Sequence, residues 1–233
     1  MNQNKVKKTP NINARDFSTI LGNNPYQTAF ELLENKIEHK HLFLGNKFTD
    51  HGNKYENIAI KVFESTTGFK VNQTQITLKH DKYQWITGRV DGIIETEKDY
   101  IQENDSRKRK RSCEKENIVI EIKCPMKDDR KEPLTKDNIP LNYWCQCQVY
   151  MNLLNCDKSY YIEYYINPNN PSKYSGKLYY IEIERDERWW NEHIEKIQKY
   201  YKQVEKYTKK GSLESHPIRK IERKWIKKIL NYN

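Results

Sequence analysis

Apolar positions recur along this chain with two periods that alternate in blocks. Near the N-terminus the spacing is helical. "NARDFSTILG" predicts a short helix with Asn13 as N-cap, Asp16 three positions on and Gly22 at its end. After "NNPY" a second helix is predicted over roughly Gln27 to Glu38. A third is predicted from near Asp50, where Tyr55, Ile58, Ala59, Val62 and Phe63 form one stripe, Glu56 lies on its flank and Gly68 closes it. The period then drops to two. "FKVNQTQITLK", "YQWITGRVDGIIE" and "NIVIEIKCP" are rich in β-branched and aromatic residues and predict strands. Pro140 to Leu154 returns to helix and carries Gln146, and "KSYYIEYYIN" and "KLYYIEIER" predict two further strands. A long helix starts at about Asp186, with Trp190, Ile194, Ile197, Tyr201 and Val204 along one face. This order predicts an α/β or α+β domain built on one central mixed sheet.

A chain of 233 residues suits one such domain with a helical extension. It divides into a basic tail at 1–10, a main domain at 11–210 and a basic C-terminal helix at 211–233. Within the domain, "KDYIQENDSRKRKRSCEKEN" (98–117) has almost nothing to bury and is expected to be an exposed, charged hairpin insertion. Its "RKRKR" run reads equally as a solvated loop tip and as a DNA-contacting or nuclear-localisation patch. Lys and Arg number 42 against 32 Asp and Glu, a formal charge of +10, which favours polyanionic partners, nucleic acid foremost. In the C-terminal "RKIERKWIKKIL", Ile218, Ile221, Trp225 and Ile229 fall near one face. That segment reads as a helix packed on the domain or as a DNA-backbone contact. No apolar run approaches the ~20 residues of a membrane span, and the first residues lack the apolar segment of a signal peptide. Five cysteines, an odd number without a CxxC pair, are expected to be free thiols in an intracellular, reducing compartment.

Two charges interrupt the most apolar strand, "ENIVIEIKCP". Residues i and i+2 share a face, so Glu121 and Lys123 project together while Ile118, Ile120 and Ile122 face the other way. Taken alone, the pair reads as a surface salt bridge of little worth. "GRVDG" changes that weighing, because Asp91 precedes a glycine in a strand that should neighbour the first. Two carboxylates at one sheet end, with waters and phosphate oxygens, are what a hard cation such as Mg²⁺ accepts. A lysine beside them can orient a water or offset charge on a phosphate.

An Asp, a strand and a loop, then Glu-x-Lys is the signature of the PD-(D/E)XK nuclease superfamily. Five ordered blocks, that signature among them, resemble its YqaJ-type viral recombinase family, which includes phage lambda exonuclease. They are "INARDFSTILGNNPYQTAFEL", "HGNKYENIAIKVFESTTG", "GRVDGII" with "IVIEIKCP", "YWCQCQVYMNLL" and "YYIEIERDERWWNEHIEKI", and together they cover roughly residues 11–205. The resemblance implies a restriction-endonuclease-like fold: a central mixed β-sheet flanked by helices, with a C-terminal helical extension. It implies Asp91 and Glu121 as metal-binding carboxylates, the Ile122 carbonyl as a further ligand and Glu56 completing the acidic cluster. Lys123 would position or activate the attacking water, and Gln146 would support the site, with Tyr150 one turn later on the same face. Gln148 and Tyr143 are assigned to packing. Where the lambda-type pattern has a 5′-phosphate-binding serine, this chain has Arg15, a residue able to hold phosphate bidentately. Upstream only lysines stand (Lys5, Lys7, Lys8), and Val90 replaces a common proline.

The expected activity is a Mg²⁺-dependent DNA exonuclease (Mn²⁺ able to substitute), acting from duplex DNA ends in viral or phage-type recombination, repair or replication. The resemblance also implies a ring-like trimer, a single-strand-annealing partner, and host cytoplasm, viral factory or nucleus as location. Arg15 and Tyr150 are the expected nucleic-acid contacts. Two rivals remain at this stage: a structure-specific or restriction-like endonuclease, and a catalytically weak DNA-end-binding scaffold.

Overall fold

A computed structural model describes residues 8–40, 45–102, 110–128, 130–166 and 176–221. In chain order the elements are β1 (Ile12–Asn13), α1 (Asp16–Leu21), α2 (Ala29–Glu38), α3 (Lys47–Thr67), β2 (Val71–Lys79), β3 (Ile86–Gln102) and β4 (Lys110–Lys123). A 3-10 turn (Lys136–Asn138), α4 (Leu141–Leu154), β5 (Lys158–Tyr165), β6 (Lys177–Glu184) and α5 (Glu187–Lys210) follow.

The strands form one mixed sheet. β3 pairs with β1 in parallel and with β2 and β4 antiparallel; β5 runs parallel to β4, and β6 antiparallel to β5. Parallel neighbours need a crossover, and α4 supplies it between β4 and β5. The β3–β4 ladder continues to Gln102↔Lys110, so residues 98–102 and 110–117 extend the same hairpin. The "RKRKR" run begins outside the described residues, as do residues 1–7 of the basic tail and 222–233 of the C-terminal segment.

Strand alternation divides the interior in two. Ile94, Ile118, Ile120, Ile122, Ile162 and Tyr164 pack under Ala59, Ile60, Val62 and Phe63 of α3. Val90, Val119 and Tyr161 turn to the other face, which α1, α2, α4 and α5 cover. Each large side chain so buried contributes roughly 1.5–3 kcal/mol. Among the described residues, no helix is long and apolar enough to cross a membrane.

Local chemistry moves three helix starts from their expected places. Asn13 does not cap α1: with Ile12 fully buried, it forms the two-residue β1 on β3, and its N–H donates to Asp16 Oδ2 at 2.8 Å. Arg15 takes the N-cap position. α2 starts at Ala29, after a reciprocal capping box between Thr28 and Glu31. α3 starts at Lys47, because Asn46 accepts from the N–H groups of Phe48 and Thr49. Glycine closes α1 and α3 as expected: Gly22 and Gly68 adopt φ 88° and 78°, conformations that cost glycine little.

The start of the C-terminal segment packs on the domain. Leu213 is fully buried, its N–H donates to Glu38 Oε1 at 2.9 Å, and Arg219 pairs with Glu34.

Candidate metal centre

The two glycines of "GRVDG" shape the sheet around Asp91. A Cβ at Gly88 would stand 2.7 Å from Leu153 Cδ1 and from Tyr150 Cε1, so only glycine lets α4 lie this close to β3. A Cβ at Gly92 would stand 2.6 Å from Val71 Cγ1 and 2.7 Å from Ile120 Cδ1 on the other face. Val90 and Ile93 belong to one core layer, Ile94 to the other, so strict alternation slips by one residue at Asp91–Gly92. The β3–β4 ladder begins at Gly92↔Ile120, and Asp91 lies just before it. The Asp91 carboxylate takes up the slack, accepting from the Ile122 N–H at 2.8 Å. That bond brings it beside Glu121.

Glu121 is 1% exposed and Lys123 27%. The Lys123 ammonium donates to Glu121 Oε1 and lies 4.8 Å from the centre of the Tyr143 ring, which stacks on Tyr161. The other Glu121 oxygen accepts from Gln146 Nε2 at 3.0 Å. Gln146 also donates to the Tyr150 hydroxyl at 2.6 Å, and that hydroxyl donates to the Arg89 carbonyl at 2.7 Å. Glu56 reaches the same place from α3, where Gln75 Nε2 donates to its Oε1.

Burial pushes the Glu121 carboxyl up to about 8; Lys123 opposes this, while Asp91 and Glu56 add like-charge repulsion. Burial raises Asp91 too, partly offset by Lys123 and the Ile122 N–H. Glu56 is raised by burial and then by Asp91. Burial works against the Lys123 ammonium, but Glu121 and Asp91 outweigh it and hold its pKa above the ordinary value. Three carboxylates thus sense one another, with the Lys123 ammonium among them and the Arg89 guanidinium acting on Glu56 and Asp91.

Among the described residues, no group of three or more His, Cys, Asp and Glu is drawn together closely enough to cage an ion unaided. The donor set nevertheless fits a hard divalent cation. Its donors are oxygens, mutually repelled, and waters and phosphate oxygens can complete the shell. Cys124, Cys145, Cys147 and Cys156 are free thiols whose pKa values burial raises, so they do not offer thiolate ligands.

Asp91, Glu121, Lys123, Glu56 and Gln146 are brought together, and Ile122, expected to offer its carbonyl, engages Asp91 through its N–H. Tyr150 is corrected: it is 3% exposed with its hydroxyl engaged on both sides, so it props Gln146 instead of reaching nucleic acid. Arg15 is exposed at the head of α1. Its contact is local, its carbonyl accepting from Ser18 Oγ at 3.1 Å, and the described contacts do not join it to the acidic cluster. Gln148 is structural, as expected: fully buried, it donates to the Glu184 carbonyl and accepts from the Asp186 N–H. Tyr143, assigned to packing, also lies against Lys123. Gln75 was missed altogether, and a glutamine in a polar strand carries no signal to find it.

A family model described as the YqaJ-like viral recombinase domain matches residues 6–157, more than half of the chain. The chain belongs to this family. Among curated relatives, the uncharacterized protein YqaJ of Bacillus subtilis (strain 168) is 27% identical over 184 residues, covering 78% of this chain and 49% of its own length. The uncharacterized protein R354 of Acanthamoeba polyphaga mimivirus is 29% identical over 87 residues, 37% of this chain and 16% of its own. The chain therefore spans about half the length of one relative and matches a small part of the other. The fold is that of the alkaline exonuclease LHK-Exo from Laribacter hongkongensis, with a TM-score of 0.62 at 16% identity over 93% of this chain and 94% of that one. A phage-related exonuclease from Haemophilus somnus 129PT gives 0.55 at 19% identity over 87% and 95%. The YqaJ-like chain thus shares the fold of these two proteins, a mixed sheet flanked by helices with a C-terminal helical extension.

Proposed function

We propose that this YqaJ-like protein is a Mg²⁺-dependent deoxyribonuclease that hydrolyses phosphodiester bonds from duplex DNA ends. The observation that carries this reading is the meeting of Asp91, Glu121, Glu56 and Lys123 where the β3–β4 ladder begins. Asp91 and Glu121 would hold the cation, with the Ile122 carbonyl and Glu56 beside them. A bound divalent cation supplies Lewis acidity to the scissile phosphate and acidifies a water. Lys123, kept charged by its carboxylate neighbours, orients the attacking water and offsets charge gathering on the phosphate. Gln146, braced by Tyr150, fixes the Glu121 carboxylate so that its oxygens need not reorganise.

The preference for DNA ends draws on the likeness to two exonucleases and on a structure of LHK-Exo in complex with dAMP, a deoxynucleotide. The net charge of +10 supports a polyanionic substrate, and contacts to phosphate rather than bases make cleavage insensitive to sequence. Arg15 is the proposed contact for a terminal phosphate.

The test is digestion of an end-labelled linear duplex beside its covalently closed circle, with Mg²⁺ or Mn²⁺, and with 5′-phosphate and 5′-hydroxyl ends compared. The linear form is expected to be degraded and the circle spared. Cleavage of the circle would replace the exonuclease by an endonuclease, and an inert protein would leave a DNA-end-binding scaffold.

A further inference from the structure

β2 contains a backbone irregularity that secondary structure does not call for. Gln75 sits within the strand, yet its φ is +54°, the left-handed region that side chains other than Gly, Asn and Asp seldom enter. Its place in the ladder lies between Thr74↔Gly92 and Ile76↔Val90, so it stands across from Asp91. Both strands are thus irregular at one rung, β3 by its slip in alternation and β2 by this kink. A non-glycine residue held in such a conformation calls for an explanation in what its side chain does.

That side chain is committed to the candidate metal centre. Its Nε2 donates to Glu56 Oε1, and the same amide is the smallest of the influences that hold the Asp91 pKa down. It also completes a geometric match between α3 and β2. At the far end of the pair, Glu64 Oε1 accepts from the Val71 N–H at 2.9 Å. From Glu56 to Glu64 the helix rises ~12 Å, and from Val71 to Gln75 the strand advances by ~13 Å at most, since its register shifts between Val71 and Gln73. Two side-chain pins of similar spacing therefore register the helix on the strand, and the second pin is Gln75.

We propose that Gln75 is a positioning residue of this centre, holding the helix-borne Glu56 carboxylate against Asp91 before a divalent cation arrives. The proposal rests on the metal-centre reading above. An amide suits the task because it donates without a charge. A lysine or arginine at this place would neutralise the carboxylates and compete with the cation, and an aspartate or glutamate would repel them.

The test measures Mn²⁺ binding to DNA-free protein by calorimetry, beside denaturant unfolding in chelator. Gln75→Gly removes the amide and leaves the backbone free to keep its positive φ. It is expected to weaken Mn²⁺ binding by roughly tenfold or more, the usual cost of losing a ligand's hydrogen-bonded support, while leaving the unfolding midpoint little changed. In a Glu56→Gln background the same substitution should add almost nothing, because Gln75 acts through Glu56. Equal Mn²⁺ affinity in wild type and Gln75→Gly overturns the proposal, as does a fully additive effect in the Glu56→Gln background or a wild type that binds no Mn²⁺. A protein that binds Mn²⁺ in the expected order but cuts no DNA overturns the nuclease reading and leaves this one standing.

Discussion

Arg130 offers a stringent test of how the site is held, because it lies outside the cluster and carries no predicted chemistry. Its guanidinium binds Glu163 through two parallel bonds of 2.8 and 2.6 Å, and a third N–H reaches Asn138 at 3.3 Å. The Glu163 carboxylate also accepts from Tyr161 at 2.8 Å and Tyr165 at 2.7 Å. The pair is nearly dry, with side-chain exposures of 12% and 5%, and it straps the segment after Lys123 to β5, where Glu163 is the register partner of Lys123. Replacing Arg130 by Met leaves a buried carboxylate with two hydroxyl donors. Breaking a buried pair from one side costs about 3–5 kcal/mol, and the remaining tyrosines place this case near the lower end, at about 3 kcal/mol. Burial alone would raise the Glu163 pKa, but Arg130, Tyr165 and Tyr161 outweigh it and hold it below the ordinary value. A lowered folded-state pKa means stability that is present above the unfolded value and is lost as pH falls through the folded one. The gap between wild type and Arg130→Met should therefore be full at neutral pH and close in acid. Urea unfolding with the slope checked for constancy measures it. Arg130→Met combined with Glu163→Gln, which removes the orphan charge, should recover most of the loss. A single-variant loss below about 1 kcal/mol, or a double variant no more stable than the single, refutes the strap.

Three further outcomes follow from the geometry. Asp91→Asn and Lys123→Met should each lower cleavage by at least ~10²-fold while gel-shift binding of duplex DNA persists, since phosphate affinity is spread over the basic surface. Gly88→Ala should destabilise the fold by about 1–3 kcal/mol in urea, because its methyl overlaps Tyr150 and Leu153, and cleavage should fall with it as Gln146 loses its prop. Glu121 has its folded pKa raised to about 8, so between the ordinary glutamate value and about 8 the folded chain keeps a proton that the unfolded chain releases. Stability in chelator should then fall as pH rises through that window, by up to ~1.4 kcal/mol per unit, and the thermal shift given by Mn²⁺ should be larger near pH ~9 than near pH ~6.

Much of this architecture was legible because it obeys local rules. The isoleucine face of β4, the charged face holding Glu121 and Lys123, and the helix carrying Gln146 follow from period alone, and the family blocks gave their order in space. Glycine marked two helix ends because a left-handed closure has few other solutions. The residues that escaped notice act across distance. Gln75 and Asp91 are 16 positions apart, and only the β2–β3 register makes them neighbours. Arg130 and Glu163 are separated by 33, and no local pattern joins an arginine in a loop to a glutamate in a strand. Tyr150 was misjudged for a related reason: helical spacing puts it on the face of Gln146, but the spacing does not say that Gly88 lets that face press on β3.

The distribution of charge around Lys123 explains why these distant partners matter together. Lys123 has two carboxylates available on its own side of the sheet: Glu121, two residues back, and Glu163, its register partner on β5. Only the first belongs to the acidic cluster. Arg130 and two tyrosines saturate Glu163, so the ammonium remains with Glu121, beside Asp91 and above Tyr143. Gln75 performs the complementary task at the opposite rim, bringing Glu56 in without adding a cation. The centre thus sets three acidic side chains against the Lys123 ammonium and the Arg89 guanidinium, which acts on Glu56 and Asp91, and a divalent cation can relieve the carboxylate repulsion that remains. On this account, freeing Glu163 should do more than loosen a loop. In Arg130→Met the released carboxylate competes for Lys123, and cleavage at saturating Mn²⁺ should fall and then recover when Glu163→Gln is added. Failure of the second substitution to restore turnover, in a variant whose stability it does restore, would separate the strap from the site and show that Lys123 needs no such protection.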